Sequence, residues 1–366
     1  MDKYRGNNVI PECPHFGECG GCMLQDISYD NQLLLKREYL NGLLAGIAEI
    51  DIVNGYSPYR YRNRMDMVTA FGRTGLRKAG NFRSVVDITT CLLMQKRSEE
   101  MYRAIRNPLQ EVEGYDYLAH RGYLRYAVVR QGMFTGEVMV NFVTAARVNN
   151  LQRVIDTVPG ADSISILHNE GLADTSFGEP FITLRRGYIK ERFDDITFRI
   201  TPNSFFQSNS SVALIMYRRI RESVRGKVLD LYSGVGSITL FIAGRADHVT
   251  GVEQVGEAVE CARSNGELNE IGNVEFLCSD ARSYLREKAS SFDTVVMDPP
   301  RSGIHPKMVR YLNETGPDAL IYMSCNPATF AADAMNLERY TLQWIEAYDM
   351  FPQTPHMETL AMFKRK

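Results

Sequence analysis

The hydrophobic rhythm of the chain changes three times. Residues 1–25 form no periodic pattern and are rich in Cys and Gly. From Asp26, Leu33, Leu40, Leu44 and Ile47 recur at helical spacing, which predicts a helix within residues 26–55. Residues 56–200 break into short β-prone runs, "AVVRQG", "EVMVNFV", "SISILHN" and "ITFRI", separated by Gly and Asn turns. That is the pattern of a strand-rich α+β unit. Across residues 201–366 apolar runs alternate with helical stretches: "KVLDLY", "HVTGVE", "VEFLCSD", "DTVVMD", "ALIYMSC" and a late "TLAMFKR". Strand–helix alternation predicts a doubly wound α/β domain. Such folds bind ligands beyond the carboxyl ends of their strands, so the residues just after each strand are the ones to inspect.

Composition narrows the classes. A chain of 366 residues has room for two or three domains. Its net charge of −2 excludes a uniformly basic nucleic-acid coat, so a polyanion site would be a local patch. No apolar run approaches a membrane span, and "MDKYRGNNVIPEC" lacks the apolar core of a signal peptide. A cytoplasmic monomer without membrane contact is the expectation. Disulfides are disfavoured there, so the seven cysteines need another explanation.

"VLDLYSGVGSITL" runs from a strand through Gly234-Val235-Gly236 into a helix. Glycines permit a tight turn and close ligand approach. The next strand ends in Glu253, where a carboxylate would accept from ribose hydroxyls. The third ends in Asp280, suited to an adenine edge, and the fourth in Asp298-Pro299-Pro300. Thr239 stands where a dinucleotide fingerprint wants its third Gly. Acidic ends on successive strands are similar to those of S-adenosylmethionine methyltransferases.

The apolar run "ALIYMS" stops at Cys325-Asn326-Pro327. Alone, a cysteine after a buried strand is a small core residue. Together, "DLYSGVGSITL", "DPPRSG", "SCNPATFAAD", "HMETLAMF" and the earlier "PNSFFQSN" resemble the RNA (uracil-C5)-methyltransferases over nearly the whole chain. The resemblance implies a Rossmann-like S-adenosylmethionine domain, with Cys325 as nucleophile and Glu358 as base. It implies cofactor contacts from Gln207, Tyr232, Gly234, Gly236, Ser237, Glu253, Asp280 and Asp298; Ser237 departs from the more usual Asn. Uracil C5 is a poor nucleophile until a thiolate adds to C6, and a base must then remove the C5 proton. His305 and Trp344 fall outside these motifs and read as core or surface. Two rivals stand beside this reading. Amino methyltransferases carry an aromatic after D/N-P-P, where this chain has Arg301. A non-catalytic, metal-stabilised RNA-binding protein would not need both Cys325 and Glu358.

Cys13, Cys19 and Cys22 follow C-x5-C-x2-C, with Cys91 as the candidate fourth ligand. Spacing leaves zinc and iron–sulfur open; the resemblance is to members with a [4Fe–4S] cluster. The C-x3-C-x2-C of radical methyltransferases is absent. Cys261 and Cys278 read as core.

The stretch Tyr59 to Arg83 interleaves arginines with Tyr59, Tyr61, Phe71 and Phe82. Arg60, Arg62 and Arg64 are the candidate RNA contacts, with Phe205 as one wall of the base pocket; a solvated strand face is the alternative. Twelve residues before Cys13 leave no room for an N-terminal β-barrel of the kind some relatives carry. That resembles the shorter 23S rRNA enzymes and leans the reading toward large-subunit rRNA, with a tRNA T-loop uridine as the alternative.

Overall fold

The computed structural model describes residues 9–158 and 160–366. Helix α1 (Tyr29–Leu43) follows the Cys-rich loop. Leu40 and Leu44 are buried on one stripe, where they join the core beneath the larger of two sheets. A two-residue strand, β1 (Val53–Asn54), comes next.

The smaller sheet has seven strands. They are β2 (Arg64–Ala70), β3 (Arg73–Lys78), β4 (Asn81–Asp87), β5 (Leu124–Gln131), β6 (Val138–Thr144), β7 (Ser163–His168) and β8 (Glu179–Arg185). Their spatial order is β4-β3-β2-β5-β6-β7-β8. Only β6 and β7 run parallel, and the short helix α3 (Gln152–Asp156) lies in the crossover between them. Strands β5 and β6 are buried along their whole length. Ala127 and Val129 meet Tyr102, Ile105 and Leu109 of α2 (Lys96–Gln110), whereas Tyr126 and Val128 face a second core. Cover on both faces is why "AVVRQG" and "EVMVNFV" show little polar alternation.

A hairpin of β9 (Ile189–Phe193) and β10 (Ile196–Ile200) leads into α4 (Ser210–Ser223). The larger sheet then forms from β11 (Lys227–Leu231), β12 (His248–Glu253), β13 (Val274–Cys278), β14 (Thr294–Met297), β15 (Ala319–Ser324), β16 (Tyr340–Tyr348) and β17 (Glu358–Arg365). With β1 at one edge the order is β1-β16-β17-β15-β14-β11-β12-β13. Strands β11 to β15 are mutually parallel. Between them run α5 (Ser237–Ile242), α6 (Gly256–Leu268), α7 (Ala281–Lys288) and α8 (Pro306–Thr315); α9 (Pro327–Asn336) follows β15. Successive strand residues serve opposite faces. Val228, Val296 and Ile321 pack with α4, α5 and α6; Leu229, Val295 and Leu320 pack with α1, α7, α8 and α9. Truncating one of these, Leu229→Ala for example, costs about 2–5 kcal/mol.

Strand β17 is antiparallel to both β15 and β16. Its register against β15 ends at Ser324↔Thr359. Cys325 is the next residue after Ser324, and Glu358 the one before Thr359. Among the described residues no helix is long and apolar enough to cross a membrane.

Candidate active site

The carboxyl ends of β11, β12, β14 and β15 open onto one cavity of about 820 Å³. Cys325, Glu358, Gln207, Tyr232, Gly234, Ser237, Glu253, Asp280, Asp298 and Phe205 all line it. Gly236 does not. A Cβ there would meet Phe276 Cζ at 2.8 Å and Ala262 Cβ at 3.1 Å, and its φ is +78°. This glycine lets a helix lie close on the sheet, rather than admitting a ligand. Gly234, also at positive φ, would point a Cβ into open space, so it is the glycine a ligand can approach. Tyr232 holds φ 66° without being glycine, a strained conformation of the kind that surrounding structure must impose.

The acidic residues differ in what they already hold. Glu253 accepts from the backbone N–H of Gly234 (3.1 Å), Gln254 (2.7 Å) and Val255 (2.9 Å), which fixes its carboxylate at the cavity wall. Asp280 caps α7, accepting from Ser283 N at 2.9 Å and Ser283 Oγ at 2.8 Å, and those bonds hold its pKa below the ordinary value. Gln207 Nε2 donates to Asp298 Oδ2 at 3.0 Å. Burial, then the nearby Asp230, pushes Asp298 up to about 7. Ser237 Oγ lies 3.0 Å from Tyr217 OH.

Cys325 is half-buried directly after β15. Asn326 explains the Asn-Pro signal: its Oδ1 caps α9 through Ala328 N at 3.2 Å, with Pro327 in the first turn. Burial pushes the Cys325 thiol up to about 11, with Glu358 and Asp298 adding to it and Arg301 opposing. Glu358 is 2% exposed, and Oε2 has no hydrogen-bond partner among the described residues. Burial first, then Asp298, raises its pKa well above the usual carboxylate range, again against Arg301. The cavity thus sets a thiol beside two acids whose pKa values burial raises, with one guanidinium opposing the rise at the thiol and at Glu358.

That guanidinium was read from the sequence only as an argument against another enzyme class. Its signal was present: a cation follows D-P-P in a fold whose ligands sit there. Asn326 Nδ2 donates to the Arg301 carbonyl at 3.0 Å, tying the strap that bears Arg301 to the Cys325 turn. Arg301 Nη2 lies 3.3 Å from His356 Nδ1; burial, then Arg301, lowers the His356 pKa, so the ring is a neutral acceptor. His305, expected in the core or on the surface, also lines the cavity and caps α8 through Lys307 N at 3.1 Å. Trp344 is half-buried, with the Arg219 guanidinium 3.9 Å over its ring.

Cys13, Cys19, Cys22 and Cys91 line a second cavity, of about 870 Å³. Burial raises the thiol pKa of Cys19, Cys22 and Cys91, and neighbouring cysteines add to each. Among the described residues no three His, Cys, Asp or Glu side chains are grouped to hold one metal ion. Cys261 is buried as expected. Cys278 is exposed rather than core, because it ends β13, the edge strand of the sheet.

The arginine stretch is not an even solvated face. Arg60 pairs with Glu99, and Arg64 with Asp66 at 2.8 Å. Arg62 lines the cysteine cavity, and its Nε has no hydrogen-bond partner among the described residues. Tyr61 is core, 1% exposed, whereas Phe71 and Phe82 stand out at 50% and 72%. Phe205 is 65% exposed at the mouth of the first cavity.

Comparison with known proteins agrees with this fold. The family model tRNA (Uracil-5-)-methyltransferase matches residues 178–366. A tRNA (uracil(54)-C(5))-methyltransferase of Pyrococcus furiosus is 37% identical over 98% of this chain and 86% of its own. A 23S rRNA (uracil(747)-C(5))-methyltransferase of Pyrococcus horikoshii is 34% identical over 97% of this chain and 85% of its own. The crystal structure of Pyrococcus abyssi tRNA (uracil-54, C5)-methyltransferase in complex with S-adenosyl-L-homocysteine aligns with a TM-score of 0.81 and 36% identity, covering 94% of this chain and 86% of that one. With the motifs, the fold and the cavity in agreement, the chain belongs to the tRNA (uracil-5-)-methyltransferase family and is an RNA uracil-C5 methyltransferase.

Proposed function

We propose that this enzyme moves a methyl group from S-adenosylmethionine to C5 of a uridine through a covalent adduct on Cys325, with Glu358 as the base. The observation that carries this reading is the β15–β17 register, which ends at Ser324↔Thr359 and so leaves the Cys325 thiol and the buried Glu358 carboxyl as the next residue on each chain, both lining one cavity.

The Cys325 thiolate adds to uracil C6. The new S–C6 bond pushes the C5=C6 electron pair onto C5 as an enolate. C5 attacks the sulfonium methyl, and the old S–CH₃ pair stays on sulfur, leaving neutral S-adenosylhomocysteine. Glu358 takes the C5 proton. The freed pair re-forms C5=C6 and expels the thiolate. A thiol near 11 is a poor starting point, but the methyl donor is itself a cation. Its arrival in the cavity favours the anionic forms of Cys325 and Glu358 together, as Arg301 already does. Glu253 and the open Gly234 would receive the ribose, Asp280 the adenine edge, and exposed Phe205 one face of the extruded base.

The relatives are named for both tRNA and rRNA. We read the substrate as the T-loop uridine of tRNA, because the tRNA relatives share more of this sequence than the rRNA relative does; large-subunit rRNA, for which that relative is named, is the second reading. Incubating the enzyme with labelled methyl donor and either tRNA or 23S rRNA transcripts tests this. Label in tRNA alone is expected, and label in rRNA alone would reverse the choice.

Cys13, Cys19, Cys22 and Cys91 would hold a [4Fe–4S] cluster, which supplies a covalent cross-link between the N-terminal loop and the segment after β4. The fit is chemical: four thiols line one cavity, the number and kind of ligand such a cluster takes.

The Glu358→Gln variant tests the mechanism. It is expected to transfer the methyl group and remain bound to RNA as a slow band on a denaturing gel. Cys325→Ala is expected to form no adduct while still binding S-adenosylmethionine; wild-type activity in that variant would end the mechanism.

A further inference from the structure

The segment that delivers Glu358 is held almost entirely from the N-terminal side of the molecule. Asn54 O accepts from Asp349 N at 2.9 Å. Asn209 Nδ2 donates to the Met350 carbonyl at 3.2 Å. Lys36 Nζ donates to Asp349 Oδ1 at 2.5 Å and to the Phe351 carbonyl at 3.3 Å. Tyr61 OH donates to the Pro352 carbonyl at 3.0 Å.

The tightest point is Gln353. It is 3% exposed and holds φ 67°, a left-handed conformation that a non-glycine residue keeps only under constraint. The constraint is visible. The backbone N–H groups of Met23 and Leu24, the two residues after Cys22, both donate to the Gln353 carbonyl, at 2.8 and 3.1 Å. Gln32 Nε2 donates to Gln353 Oε1 at 2.9 Å, and Gln353 N donates back to Gln32 Oε1 at 3.1 Å. The same Gln32 Nε2 lies 2.9 Å from the carbonyls of both Leu24 and Ile27, so its two N–H groups are shared among three acceptors. One buried side chain, 1% exposed, therefore fixes the Cys-rich loop and the turn before the base at once. Thr354 and His356, between that turn and Glu358, line the cysteine cavity itself.

We propose that the Cys-rich segment acts on the reaction by positioning Glu358, through a clamp centred on Gln32 and Gln353. This rests on reading Glu358 as the base. Gln32 and Gln353 touch neither cavity ligand nor reacting atom; they are positioning residues. The clamp bears on proton removal from C5, the step that releases the enzyme from RNA, and not on thiol addition or methyl transfer.

The test uses the full-length, metal-loaded enzyme and its RNA substrate. Gln32→Met keeps the side-chain volume and removes every bond of the amide. Methyl transfer in a single turnover is expected to stay within about threefold of wild type while adduct release slows by about tenfold, the scale of a lost buried positioning contact. A methylated enzyme–RNA band should accumulate, and release of label from C5-tritiated uridine should slow with it. S-adenosylmethionine affinity should not change. Glu358→Gln is run alongside. If it accumulates adduct and Gln32→Met clears at the wild-type rate, the clamp is wrong and the base assignment stands. If neither accumulates adduct, the base assignment falls and takes the clamp with it. Should Gln32→Met fail to fold, Gln353→Gly removes the side-chain half of the clamp and suits the left-handed backbone; the same accumulation is expected, and wild-type release in that variant overturns the proposal.

Discussion

A thiol with a pKa near 11 is only about one part in a thousand ionised at pH 8. Raised by burial and by two neighbouring acids, Cys325 gains thiolate only as pH climbs. Its alkylation by iodoacetamide should therefore keep rising about tenfold per pH unit from 7 to 10, where an ordinary thiol near 8.5 would level off by about 9.5. S-adenosylmethionine should shift the curve to lower pH relative to S-adenosylhomocysteine, which differs by the loss of the methyl and its charge. Arg301→Gln should shift it to higher pH, because the guanidinium is the favourable charge beside the sulfur. Mass spectrometry of the Cys325 peptide reads all three; identical curves with either ligand would exclude the electrostatic role given to the sulfonium. At this scale the motifs were enough to single out Cys325 and Glu358, which line one cavity, and a cation after D-P-P marked Arg301. His305 and His356 were not legible, because their places come from loops and caps that bring distant residues together.

Among the elements, the two glycines of the first strand–helix turn looked alike in sequence and act differently. Gly236→Ala should lower stability by about 2–3 kcal/mol, from positive φ and the contact with Phe276, with a matching fall in thermal midpoint. Gly234→Ala meets open space, so its cost to stability is smaller, about 1 kcal/mol. Its main effect should be weaker S-adenosylmethionine binding by calorimetry. Equal affinity losses in properly folded forms of both variants would contradict the distinction. The parallel strands were legible because cover on both faces leaves continuous apolar runs. Strand β16 was not: its burial is partial and irregular. Its partner β1 has two residues, too few for any periodicity.

Over the whole molecule, RNA affinity must come from local patches, since net charge is only −2. The Arg62 candidate faces the cysteine cavity, so its loss would confound RNA contact with damage to that cavity. The exposed hairpin end is the cleaner probe: Phe82 is 72% exposed, with the Arg83 guanidinium 5.7 Å over its ring. Arg83→Ala should weaken RNA binding and reduce the salt-dependence slope by about 1, leaving S-adenosylmethionine affinity intact; an unchanged slope would remove this hairpin from the interface. For the cysteine cavity, anaerobically prepared protein should carry about four irons per chain. Cys91→Ser should lose them and Cys261→Ser should keep them. One zinc and no iron would rule out the cluster.

Strand β1 has a consequence for modularity. It contributes only Val53↔Ala347 and Asn54↔Tyr348 to the larger sheet, yet it means the catalytic half begins before residue 60 and resumes after residue 200. The seven-stranded sheet is thus looped out of the catalytic unit rather than strung ahead of it. A fragment starting at residue 201 would carry the thiol, the carboxylate and the whole nucleotide cavity, but β16 would show a bare edge and the turn before Glu358 would keep Asn209 while losing its anchors from Met23, Leu24, Gln32, Lys36, Asn54 and Tyr61. Swapping the seven-stranded sheet between such enzymes therefore calls for two junctions, one on each side of it, and a single cut should yield an insoluble or mispaired chimera.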